Sequence, residues 1–106
     1  MSGSREVFDT KPPTDTKFVY FNFLSNLAVG ETISTQVVTA TVYSGTDANP
    51  SAIISGSATA DDPEVLQLVT GGTLGVVYTL LCTITTSLGQ TLTQAGYLAI
   101  VKEATQ

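Results

Sequence analysis

The side chains able to do acid–base, nucleophilic or metal chemistry in this chain are few and scattered. There is no histidine. That removes the commonest general base, the Ser-His and Cys-His pairs, and most zinc sites. Nine carboxylates remain: Glu6, Asp9, Asp15, Glu31, Asp47, Asp61, Asp62, Glu64 and Glu103. Only Asp61-Asp62-Pro63-Glu64 forms a cluster. It could offer oxygens to a calcium ion, but that ion takes six or more ligands, usually from a defined loop. Asp before Pro is ordinary turn chemistry, so a solvated turn is the simpler reading. Cys82 is the only cysteine, so no internal disulfide forms. A reactive thiol needs exposure and cationic neighbours, and neither is evident around it. Gly71-Gly72-Thr73-Leu74-Gly75 lacks the Lys and the following helix of a phosphate-binding loop. No catalytic, metal-ligating or cofactor-binding residue is assigned, and no cofactor is expected.

The elements that hold these residues read as β-strands. Between Thr70 and Thr91 the pattern is turn, long strand, turn and the start of another strand. Glycines 71, 72 and 75 supply the positive φ angles of tight turns. Tyr78, Leu80, Cys82 and Ile84 then alternate with Thr79, Leu81, Thr83 and Thr85. A period of two puts the first set against a core and the second mostly towards solvent. Cys82 therefore reads as a small core filler. Ser87-Leu88-Gly89-Gln90 closes a hairpin.

Other strands are expected over residues 17–24, 32–43, 51–58, 64–69 and about 90–102. In the first, KFVYFNFL, Phe18, Tyr20 and Asn22 form one set and Val19, Phe21 and Phe23 the other. A strand apolar on both faces needs cover on both sides. The adjacent Val37-Val38 suggests a slip in phase and a bulge. Gly56 breaks the 51–58 strand, and Gly96 marks a kink or bulge. No segment shows helical periodicity, and no period of 20–50 residues repeats.

The chain has 106 residues, enough for one domain with one core. It is 42% hydrophobic but only 12% charged, with Ser and Thr supplying the missing polarity. That composition suits two-layer β structure. The net charge is −5, and Arg5, Lys11, Lys17 and Lys102 do not cluster. A nucleic-acid groove or an anionic membrane surface would need such a cluster. No apolar run approaches the ~20 residues that span a bilayer. The N-terminus lacks the apolar segment of a secretory signal, so folding in the cytosol of the producing cell is expected. Residues 1–16 read as an extended arm, with Pro12-Pro13 favouring a polyproline-like path. Residues 17–106 read as the folded domain. Six or seven short strands with frequent turns predict an all-β, immunoglobulin-like antiparallel β-sandwich. The spacing Tyr78-x-Leu80-x-Cys82 is similar to a tyrosine corner.

The order of these motifs also resembles a family. Phe18 to Leu24 is followed by Gly30-Glu31-Thr32-Ile33 and a Thr/Val-rich strand. Then come Gly71-Gly72-Thr73-x-Gly75-x-x-Tyr78-Thr79 and Cys82-x-Ile84-Thr85-Thr86-Ser87-x-Gly89-Gln90-Thr91. Over roughly residues 11 to 101 this resembles the tailed-phage fibre–tail adaptors, small structural proteins of the virion. The chain departs from their pattern in its proline-bearing lead, Lys11-Pro12-Pro13-Thr14-Asp15. It also carries Gln67-Leu68 where an aromatic is usual. The resemblance implies an Ig-like fold, no catalysis, and a place in the virion after synthesis in the host cytoplasm.

Function is therefore expected to lie in surfaces. The expected reading is a non-enzymatic bacteriophage structural protein joining tail or baseplate to fibres, present in several copies in a symmetric assembly. Its partners would be other virion proteins of tail, baseplate, fibre or head, and neither nucleic acid nor membrane. A capsid-decoration or head–tail cement role is a second reading. A carbohydrate-binding module is a third, but it needs exposed aromatic platforms and the chain has no Trp. The candidate interface residues are Val7 and Phe8, the large apolar residues of the arm, with Pro12 and Pro13, and Phe21 and Phe23 in the doubly apolar strand.

Overall fold

The computed structural model describes residues 6–8 and 10–102, with Glu6 and Val7 described through their backbone. Seven strands follow in order: β1 (Glu6–Val7), β2 (Thr16–Asn22), β3 (Ile33–Ser44), β4 (Ile54–Asp61), β5 (Glu64–Thr70), β6 (Val77–Thr86) and β7 (Thr91–Ala99). They form a four-stranded sheet, β1-β7-β6-β3, and a three-stranded sheet, β2-β5-β4. All pairings are antiparallel except β1 with β7, which is parallel. This is an immunoglobulin-like sandwich, with a short first strand added beside the last. The only helical pieces among the described residues are 3₁₀ turns at Leu24–Asn26 and Pro50–Ile53, and no helix is long and apolar enough to cross a membrane.

Period-two alternation builds the core. From β2 come Val19 and Phe21, with Phe23 just after it, from β5 Val65 and Val69, and from β6 Tyr78, Leu80, Cys82 and Ile84. Val38, Ala40, Ala58 and Leu98 complete the facing layers, while Ile53, Val76 and Ile100 close the ends. Removing each of the larger side chains from water contributes roughly 1.5–3 kcal/mol before entropy is set against it.

The inward register expected for β6 is observed, and so is the turn after it. Gly89 has φ 83°, and the Thr86 amide donates to Gln90 O at 2.9 Å. Two details differ from expectation. Val37 and Val38 cause no slip: Val37 faces out, Val38 faces in, and the irregularities of β3 fall at Ile33/Thr35 and Val42/Ser44. A β-branched residue fits either face of a sheet, so two adjacent valines need no bulge. Gly96 makes no bulge either. It sits in an unbroken register between Leu80 on β6 and Glu6 on β1.

The irregularity around Gly56, by contrast, is a register shift between Ser55 and Thr59, with Gly56 at φ 71°. Carbonyls left off the ladder by this bulge must find donors elsewhere. Buried Gln67 supplies them, its Nε2 facing Ser55 O at 3.1 Å, Gly56 O at 3.2 Å and Leu68 O at 2.8 Å. Gln36 Nε2 donates to Ala58 O at 3.1 Å from the opposite sheet. An aromatic at position 67 could not do this.

The arm lies on the domain's own flank. The Phe8 amide donates to Tyr97 O at 2.9 Å and the Lys11 amide to Ala99 O at 3.1 Å. The Val101 amide returns to Lys11 O at 3.0 Å. Residues 1–5 and Asp9 of the expected arm fall outside the described residues.

Candidate functional site

Several of the groups that might have done chemistry are committed to structure. Lys11 is fully buried, yet its Nζ meets two carbonyls and, among the described residues, no carboxylate: it donates to Gly71 O at 2.6 Å and Pro12 O at 2.8 Å. Burial holds its ammonium below the ordinary lysine value, with Asp15 acting against the shift and Lys17 adding to it. The side chain ties the arm to the turn between β5 and β6. That turn admits little else. Gly72 has φ 101°, and a Cβ there would stand 2.7 Å from Ile100 Cγ1.

Tyr78 closes the same end. Its hydroxyl donates to Asp47 Oδ2 at 2.5 Å and accepts from the Thr73 amide at 2.9 Å. The bond to backbone five residues upstream is the tyrosine-corner geometry anticipated from the spacing. Burial, and then Asp47, raise the phenol above its ordinary value. The Tyr78 bond, and then the Asn49 amide, hold the Asp47 carboxyl low.

At the opposite end Glu31 is buried and accepts from the Thr86 hydroxyl, from Gln90 Nε2 at 3.0 Å and from the Ala28 amide at 2.8 Å. The Thr86 bond is the first cause of its lowered pKa. Asp62 of the acidic turn accepts from the Ile33 amide at 2.8 Å. Among the described residues no three His, Cys, Asp or Glu side chains gather where a metal could sit. Cys82 is fully buried, and desolvation pushes its thiol up to about 12.

What remains open is sheet face. On the three-stranded sheet, direct cross-strand pairs share a face. Phe18 lies opposite Leu68, Tyr20 opposite Leu66, and Asn22 opposite Glu64, which in turn pairs with Asp61. Phe18 and Tyr20 are 49% and 50% exposed, and Leu66 and Leu68 are half-buried beside them. The outward face of the four-stranded sheet differs. Strands β3, β6 and β7 contain no charged residue. Their outer face is a threonine array, with exposed Val37 and Leu81 and a Tyr43–Tyr97 ring contact at 4.4 Å.

One end of the sandwich is acidic and the other is mixed. Glu31, Asp61, Asp62 and Glu64 sit about the β4–β5 turn with no basic residue among them. Lys11, Lys17 and Lys102 lie at the other end, around Gly71 and Ile100, together with Asp15 and Asp47.

Against this geometry the expected interface residues divide. Phe21 and Phe23 are each 0% exposed, so neither belongs to a contact surface. Pairing Phe21 with Val65 turns that set inward, and the outward aromatics are Phe18 and Tyr20 instead. Phe8 packs edge-on against Phe21 at 5.2 Å, so it anchors on its own domain. Pro12 and Pro13 are half-buried in the turn into β2. Val7 pairs through its backbone with Tyr97. Sequence reasoning missed the buried Lys11 and Glu31 and the part of Asp47 in holding the Tyr78 hydroxyl. Only Asp47 had a signal, since a buried Tyr78 hydroxyl requires a partner.

No curated protein matches the chain. The family model described as the podophage GP4 fiber-tail adaptor protein gp77 matches residues 11–99. That span covers strands β2 to β7, the Lys11 tie and the tyrosine corner, and the chain belongs to this family of podophage fibre–tail adaptors.

Proposed function

We propose that this chain joins a phage tail to its fibres through protein–protein contacts, without catalysis, as a virion component made in the host cytoplasm. The observation that supports this reading best is its two-sidedness. A sandwich has two outer faces, and here both expose large apolar residues: Phe18 and Tyr20 on one, Val37 and Leu81 on the other. Exposed apolar groups gathered on a face mark contact sites more often than scattered ones do. Two unlike faces on one rigid body suit a protein that must hold two unlike partners. Lys11, Glu31, Asp47 and Asp62 instead tie loops and turns to the strands. The described residues of the arm and the domain act as one unit in this reading, and the assembly carries several copies related by symmetry.

Native mass spectrometry of the purified chain with the purified tail and fibre proteins of the same phage tests the proposal. A ternary complex containing both is expected. Density for the chain on the capsid in a particle reconstruction, with none at the tail–fibre junction, would sink it.

A further inference from the structure

We infer that the outer face of the three-stranded sheet docks a protein surface carrying an apolar strip flanked by lysine or arginine. This rests on the adaptor reading and names one of the two surfaces it needs. The face is ordered in rows. Phe18 with Leu68 and Tyr20 with Leu66 make two adjacent apolar rows, and Asp61 with Glu64 makes the next. Along β2 the distance from Thr16 to Asn22 is roughly 20 Å at 3.3 Å per residue, the reach of a short strand or nearly four helical turns. Two half-exposed aromatics side by side are the residue types that dominate binding energy at interfaces.

The charge pattern selects the occupant. The acidic row borders the aromatic rows directly, and no base among the described residues neutralises it. A docked partner would exclude water from that border and strengthen the field of Glu64 and Asp61, so its own rim must be positive. A second copy of this chain fits less well, because it would bring another body of net charge −5 against the first. The threonine face of the other sheet has no charge to select with, and it serves as the internal control.

The test measures affinity of the full chain for the purified fibre protein and the purified tail protein separately, at low and high salt. Three variants accompany the wild type: Phe18→Ser with Tyr20→Ser, Asp61→Asn with Glu64→Gln, and Val37→Ser with Leu81→Ser. Thermal melts establish that each is folded. If the aromatic double variant unfolds, Tyr20→Lys replaces it. For one of the two partners, the aromatic change should weaken binding about tenfold or more. The acid change should weaken it several-fold and flatten its salt dependence. The threonine-face change should leave that partner unaffected.

Unchanged binding by a folded aromatic variant overturns the inference. So does loss of binding to both partners through Val37→Ser with Leu81→Ser alone, which leaves the adaptor reading standing. Self-association abolished by the aromatic change would assign the face to a second copy and overturn the stated occupant. A wild-type chain that binds neither protein overturns the adaptor reading itself.

Discussion

Phe21 and Tyr20 are neighbours in sequence and opposites in structure, and truncating each to alanine measures the register of β2. Phe21 is 0% exposed, lies opposite Val65 and meets the Phe8 ring at 5.2 Å. Phe→Ala in a close-packed core costs about 3–5 kcal/mol, from lost transfer energy and the cavity left behind. At about 4 °C or more of melting temperature per kcal/mol in a domain of this size, Phe21→Ala should lower Tm by at least about 12 °C. Tyr20 is half exposed and has Leu66 as its cross-strand neighbour. Losing one such pair costs about 0.2–1 kcal/mol, so Tyr20→Ala should lower Tm by no more than about 8 °C. Calorimetry and urea unfolding of both variants, in one buffer, give the comparison. Equal losses, or a larger loss at Tyr20, would refute the reasoning. A one-residue slip of β2 exchanges every inward side chain for an outward one, so the inferred docking face would fall with it.

Other consequences are equally direct. With its thiol pushed up to about 12, Cys82 carries thiolate in only about one molecule in ten thousand at pH 8. Disulfide reagents should therefore label the native protein far more slowly than the urea-unfolded chain, and rapid native labelling would contradict the inward register of β6. Cys82→Ser should cost about 1–3 kcal/mol in urea unfolding, since it buries a hydroxyl that needs a partner. Glu31 and Asp47 titrate below their ordinary values of 4.5 and 3.8, so the fold binds fewer protons than the unfolded chain in acid. Their contribution is complete above about pH 4.5 and is lost as pH falls through the folded values. Glu31→Gln should flatten the fall of Tm between pH 5 and 2, and an unaltered profile would show that the carboxylate is not so used. Gly72→Ala should destabilise more than Gly71→Ala, as read by Cm. Both have positive φ, which costs a residue with a Cβ about 1–2 kcal/mol, but only the Gly72 Cβ would collide with Ile100.

The class of fold was legible because alternation is a strong local signal. Tyr78, Leu80, Cys82 and Ile84 alternate with polar neighbours, which leaves one possible inward set. The hairpin at Ser87 to Gln90 and the break at Gly56 followed from turn chemistry in the same way. The β2 strand was the failure. Its two sets, Phe18/Tyr20 and Val19/Phe21/Phe23, are both apolar, so period two divides them without saying which faces in. The buried polar residues were illegible for a different reason. Lys11 reads as a surface charge until Gly71, sixty residues away, is seen to accept its hydrogen bond. Glu31 reads as a loop carboxylate until Thr86 and Gln90 close on it.

The sequence by itself determined a pattern of alternating strands, poor in charge, without histidine, and similar to fibre–tail adaptors in the order of its turns. Those are properties of types and short spacings, which the chain carries whether folded or not. Tertiary structure decided which aromatics of β2 meet water, where the arm's described residues lie, and that four carboxylates gather at one end with no base among them. Each of these depends on pairings between distant strands, and their energies exist only once both partners are in place.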